Sequence, residues 1–179
     1  MKKNNVIFLV CIAFICLLSV FFEYNSSPDR GNGYEKGYKD GYQNGLDVAY
    51  DSIKPIKRPV SGSILQGSEY SGSEITITAD SDYDYVVSLK SYSGESYLSF
   101  YVRAGETVTV GVPAKYLYVY FASGKEWYGY GKGLMFGKDT CYSKDDEALD
   151  FTEYTWKYTL HPVTNGNFSE TPIDADEFF

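Results

Sequence analysis

Histidine, cysteine and basic residues are all scarce in this chain of 179 residues. It has 1 His, 3 Cys, and 16 Lys and Arg against 24 Asp and Glu, a formal net charge of −8. One His, His161, nearly removes multi-histidine metal sites and leaves a single candidate for imidazole acid–base chemistry. Three Cys without a C-x-x-C exclude a disulfide framework and a cysteine-type zinc site. An acidic balance argues against a nucleic-acid partner, which requires a basic face. No G-x-S-x-G elbow is present, and nothing in the spacing of the acids selects a glycosidase pair. The expectation is therefore a protein that is not an enzyme and carries no cofactor. Aromatic residues, by contrast, are abundant at 18%, with 19 Tyr. That much aromatic material rules out whole-chain disorder, and the length suits one domain with an appendage.

Charge divides the chain. Residues 1–59 carry a net +2 and residues 60–179 a net −10, a shift that marks a boundary. At the N-terminus, Lys2 and Lys3 precede the uncharged run Val6–Phe22. These 17 residues would span about 25 Å as a helix, at the short end for crossing a bilayer. A cleaved signal peptide has the same charge and apolar run, but the bulky Val20-Phe21-Phe22-Glu23-Tyr24 fits a cleavage pocket poorly. Residues 1–24 are accordingly predicted to be an uncleaved signal anchor, with a cleaved peptide as the alternative. The positive-inside rule then keeps Lys2 and Lys3 in the cytoplasm and sends the rest outside. Cys141 becomes the single outward thiol, either buried or able to cross-link two chains.

A four-residue repeat occupies most of residues 25–52. Gly33-Tyr34-Glu35-Lys36 is followed by Gly37-Tyr38-Lys39-Asp40, Gly41-Tyr42-Gln43-Asn44, Gly45-Leu46-Asp47-Val48 and Ala49-Tyr50-Asp51-Ser52. Residues four apart share one helix face, so Gly33, Gly37, Gly41 and Gly45 form a groove beside a ridge of Tyr34, Tyr38 and Tyr42. Four glycines inside a helix cost about 4 kcal/mol relative to alanine, so a lone helix of this length is marginal. Close approach of a second helix over the groove would offset that cost, as in a glycine zipper. A period of 4 exceeds 3.6 and predicts a right-handed supercoil. Residues 33–50 are thus expected to self-associate or to receive another protein, the alternative being a flexible Gly/Tyr stalk.

Residues 53–62, with Pro55 and Pro59, read as a semi-rigid linker. From Ser63 the rhythm becomes alternation. Strands are predicted over 74–79, 85–89, 97–103, 107–112, 115–121 and 154–160, separated by turn residues such as Ala104-Gly105-Glu106 and Ser123-Gly124. The fold class is mainly β, an antiparallel β-sandwich over 63–167, with one sheet face buried and the other dressed in Thr, Ser, Lys and Tyr. An acidic tail, 168–179, ends in Phe178-Phe179, which invites docking onto the domain or a partner.

The turns at Ala104-Gly105-Glu106-Thr107 and Val112-Pro113-Ala114-Lys115-Tyr116, closed by Ala122-Ser123-Gly124, resemble those of secreted bacterial β-sandwich modules of the prealbumin-like and carboxypeptidase-regulatory-like kind. Lys115 stands where that pattern often has Gly. The resemblance implies an Ig-like or prealbumin-like sandwich and no activity.

Asp80-Ser81-Asp82-Tyr83-Asp84 begins like an EF-hand loop, but Tyr85 replaces the turn glycine and Ser91 the bidentate Glu, so an EF-hand is rejected. Asp145-Asp146-Glu147 with Asp150 is a second acidic group, read like the first as solvated turn carboxylates. The segment 125–137 is the most suggestive. Trp127, Tyr128 and Tyr130 fall within four residues, in a segment with four glycines. Flat rings on a loop stack sugars or grip peptides, but they equally fold back to close a sandwich. The combined expectation is a single-pass membrane protein that displays an outward β domain for binding or assembly, with a cell-surface glycan or protein as partner. A secreted glycan- or peptide-binding module, and a hydrolase with an unseen site, are the alternatives.

Overall fold

The computed structural model describes residues 8–11, 37, 40, 41, 45, 48, 52–160 and 170–179. Among the described residues eleven strands occur in chain order: β1 (Phe8–Cys11), β2 (Ile64–Gly67), β3 (Ser73–Thr78), β4 (Asp84–Lys90), β5 (Ser96–Val102), β6 (Thr107–Val112), β7 (Tyr116–Gly124), β8 (Cys141–Asp145), β9 (Leu149–Asp150), β10 (Trp156–Leu160) and β11 (Glu170–Pro172). A one-turn helix, α1 (Ala175–Phe178), ends the chain. All six strands expected from alternation are present. Strand β4 is buried along its whole length, and β3 alternates from buried to more open positions.

One sheet runs β11-β8-β7-β4-β5-β2, with β9 paired to β7, and all its pairs are antiparallel. The other runs β1-β10-β3-β6. It is mixed, because β10 lies parallel to both β3 and β1, whereas β3 and β6 are antiparallel. The parallel pair departs from the all-antiparallel expectation. A long connection separates β3 from β10, and a crossover of that length permits either direction. A single apolar core joins the sheets. Ile75, Ile77, Val110, Val112, Tyr158 and Leu160 of the smaller sheet share it with Val87, Leu89, Leu98, Phe100, Leu117, Val119 and Phe121 of the larger. The architecture is mainly β and consistent with a β-sandwich.

The outward face of the smaller sheet is polar as expected, where Thr76 meets Thr109 at 2.8 Å and Thr78 meets Thr107 at 2.9 Å. The larger sheet differs. Its second face carries another apolar cluster of Val86, Tyr101, Tyr120, Ala122, Trp127, Met135, Phe136 and Phe178. Loop 125–137 and the C-terminal segment cover this face, so the sheet is buried on both sides. That is why β4 lacks the alternation of a half-buried strand.

Among the described residues no helix is long and apolar enough to cross a membrane. Most of the predicted anchor lies outside the described residues. Within it, Phe8–Cys11 is extended and pairs parallel to β10. Four apolar residues fit a strand as well as a helix, and periodicity cannot separate the two. Of the tetrad repeat, Gly37, Asp40, Gly41, Gly45, Val48 and Ser52 are described, and all six are helical and exposed. Gly33, Tyr34, Tyr38 and Tyr42 lie outside the described residues, as does His161.

Segment 53–62 runs along the domain. Its anchor is Arg58, whose Nη1 donates to both carboxylate oxygens of Asp84 at 3.0 and 3.2 Å. Ile56 N donates to Trp127 O at 2.8 Å, Gly62 N to Tyr101 O at 2.8 Å, and Arg103 Nε to Pro59 O at 2.7 Å. Direct bonds to loop 125–137 and β5 thus set the path by which the chain enters the β domain.

Candidate functional site

The loop holding Trp127, Tyr128 and Tyr130 is shaped by glycines in conformations closed to other residues. Gly129, Gly131, Gly133 and Gly137 all have positive φ, and Met135 joins them at 37°. Tyr128 N donates to Met135 O, and Gly129 bridges back to Met135, which folds the loop flat onto the larger sheet. Two glycines also make room for rings. A Cβ on Gly124 would lie 2.1 Å from Phe136 Cβ, and one on Gly137 would lie 2.9 Å from the Tyr128 ring.

The three aromatics are neighbours with unequal access. Trp127 is only 5% exposed, with its ring edge-on to Tyr101 at 4.9 Å and to Phe136 at 5.5 Å. The indole is therefore closed off from solvent. Tyr130 is half-covered. Its hydroxyl lies 2.6 Å from Gln66 Oε1 and 3.1 Å from Ser99 Oγ, and its ring lies 5.6 Å from that of Phe179. Burial raises its pKa. Tyr128 lies at the rim and donates to Glu126 at 2.8 Å, a bond that raises its pKa. The arrangement covers part of the larger sheet's second face and fastens the segment at Ile56. Of the three, Trp127 is buried, whereas Tyr128 and Tyr130 are partly exposed, and the Tyr128 hydroxyl bond faces solvent.

The acidic groups are engaged within the protein. Asp80 Oδ1 accepts from the backbone N–H groups of Asp82 and Tyr83 at 2.7 and 2.9 Å, and its Oδ2 accepts from the Tyr85 hydroxyl at 2.7 Å, forming an Asx turn. Asp150 accepts from Thr152 and from the Tyr116 hydroxyl. Among the described residues no three His, Cys, Asp or Glu side chains gather as metal ligands. Cys141, half-buried at the start of β8, is disulfide-bonded. The outward thiol expected at this position is therefore oxidised; the other cysteines of the chain are Cys11 and Cys16.

Two buried carboxylate sites were not legible in the sequence. Asp84 is 2% exposed and accepts from Arg58, from the Tyr101 hydroxyl at 2.6 Å and from Ala104 N at 2.7 Å. Burial, then the bond to Asp84, raises the Tyr101 pKa far above its usual value. Asp145, 4% exposed, accepts from the Tyr158 hydroxyl at 2.6 Å and from Glu147 N at 3.2 Å. The available signal was slight: Asp84 directly precedes the apolar start of a strand, where a charge is out of place unless paired.

A shallow cleft of about 360 Å³ opens beside β3 and β6, bordered by Glu69, Tyr70, Ser73, Glu74, Thr109 and Thr155. Gly111 forms part of its wall, because a Cβ there would lie 2.0 Å from Tyr70 O. Glu69 already accepts from Gly111 N at 3.2 Å, and no buried, unsatisfied group points into the cleft. No family model matches the chain, and neither does any curated protein or solved structure.

Proposed function

We propose that the chain is a single-pass, membrane-anchored binding or assembly module, with a prealbumin-like β domain displayed outside the membrane on a Gly/Tyr helix that associates with a second copy. The carrying observation is the open glycine face. Gly37, Gly41 and Gly45 are helical and exposed, and a Cβ at any of the three would meet nothing within 4 Å. Glycine weakens a helix, and an unoccupied surface that repeats it every four residues gains its stability from something that comes close.

A binding role is favoured over catalysis by the sequence, in which no nucleophile motif accompanies His161 and no spacing selects a pair of acids.

The membrane reading rests on Lys2, Lys3 and the uncharged run that follows. A bilayer and the edge of β10 compete for Phe8–Cys11, because backbone in lipid must satisfy itself as a helix. Mass spectrometry of the membrane fraction should find the intact N-terminus. A mature start between residues 23 and 28 would remove the anchor. For the helix, chemical cross-linking of the full chain should trap a dimer that Gly37→Leu with Gly41→Leu reduces severalfold. Equal dimer yield in both proteins would refute association through the glycine face.

A further inference from the structure

The last ten residues form a strap across the larger sheet, and its two ends are held by opposite electrostatics. At the far end the bonds are attractive. Lys144 pairs with Glu177, Lys132 pairs with Asp176, and Lys90 Nζ donates to Glu177 O at 2.9 Å. Phe178 is 1% exposed beside Tyr142, at 5.2 Å, and Asp174 caps α1 by accepting from Glu177 N. Beneath the strap lie the buried Lys90 and Tyr120, 4.8 Å apart as ammonium over ring.

At the near end, β11 pairs with β8 so that Glu170 stands directly opposite Asp145. Residues opposite one another in an antiparallel ladder point to the same face, and like charges there repel. Asp145 is removed from water, and Glu170 is partly so. Asp145 faces the Tyr158 hydroxyl from β10 and Glu147 N from the following turn. Glu170 Oε2 accepts from the Ser143 hydroxyl of β8 at 2.8 Å. Asp146 takes the Thr171 hydroxyl at 2.5 Å. Among the described residues, the ionic neighbours that these two carboxylates face are all acidic: each other, Asp146 and Glu147. Lys144 lies next in the strand, but it reaches Glu177 on the opposite face.

We propose that Asp145 and Glu170 form a pH-sensitive latch, which holds the C-terminal strap on the larger sheet while protonated and loosens it as the pair ionises. Burial is the first cause favouring the protonated form of both groups. It raises Asp145 from 3.8 to about 6 and Glu170 from 4.5 to about 7, with the acidic neighbours adding to the effect. An acid whose pKa is raised in the docked state stabilises docking fully below its undocked value. That contribution is lost as pH rises through the docked value, so the window runs from about pH 4 to about pH 7. For each acid, every pH unit separating the undocked from the docked value is a factor of ~10 in the docking equilibrium, reduced by whatever solvent reaches the half-exposed Glu170.

Amide hydrogen exchange on the full chain, corrected for the intrinsic effect of pH, tests the latch. Between pH 5 and pH 8, protection at Ile173 N, which donates to Tyr142 O, should fall by roughly tenfold to a hundredfold. Protection in the β3–β6 ladder should stay constant. Glu170→Gln should flatten most of this dependence, and Asp145→Asn the remainder. Should Asp145→Asn fail to fold, Glu170→Gln alone decides. The latch is overturned by equal protection of the strap at both pH values, by an undiminished fall in Glu170→Gln, or by a parallel loss in the β3–β6 ladder.

Discussion

Replacing Asp84 by Ala should destabilise the β domain by about 3–5 kcal/mol, the loss expected when one member of a buried charged network is removed. The reason lies in its donors. Arg58, the Tyr101 hydroxyl and Ala104 N all converge on one carboxylate that is 2% exposed. Without it, the buried Tyr101 hydroxyl and the Ala104 amide each lose an acceptor, at about 1–3 kcal/mol apiece. Arg58→Met should cost only about 1–2 kcal/mol, because the guanidinium is 51% exposed and Asp84 keeps its two other donors. Urea unfolding of the full chain in detergent gives both numbers. A wild-type midpoint for Asp84→Ala would refute the network as the clamp. The two variants also part functionally. Arg58→Met should release segment 53–62 from the domain while leaving the sheets intact, visible as faster proteolysis between residues 53 and 62.

Trp127→Ala should cost about 3–5 kcal/mol, as a fully packed aromatic does when truncated. Its ring fills the space between Tyr101 and Phe136, and its carbonyl receives Ile56 N. Tyr128→Ala, one residue away, should stay within about 0.5 kcal/mol, since its ring sits at the rim and its bond to Glu126 is exposed. Thermal unfolding of the two variants measures the contrast. A neutral Trp127→Ala would mean that the indole does not hold the loop down. The comparison also governs any ligand assay. Loss of glycan or peptide binding in Trp127→Ala would report unfolding of the loop, whereas the same loss in Tyr128→Ala would report contact.

The β domain was readable where a strand is half-buried, as β3 is. Ile75 and Ile77 face inward while Thr76 and Thr78 face out, and a period of two admits only a strand. The short strands β2, β8, β9 and β11 were not readable, since two to five residues carry too little periodicity and depend on the partner they join. The aromatic loop was conspicuous by composition, but composition does not say which way a ring turns. Trp127 turned inward because β4, β5 and β7 present Val86, Tyr101 and Ala122 on their second face, and that apolar patch had to be covered.

Local chemistry in the sequence determined the class of this protein. Turn residues, alternation and the aromatic content required a β domain, and the glycine tetrads marked a helical face that stands open at Gly37, Gly41 and Gly45. Tertiary structure alone decided the polar pairings. Arg58 meets Asp84 across 26 positions, and Glu170 meets Asp145 across 25, contacts that no local pattern encodes. A carboxylate shows no preference for strand or partner until burial strips its water, and only the folded chain brings the donors or the opposing charge that decide its state.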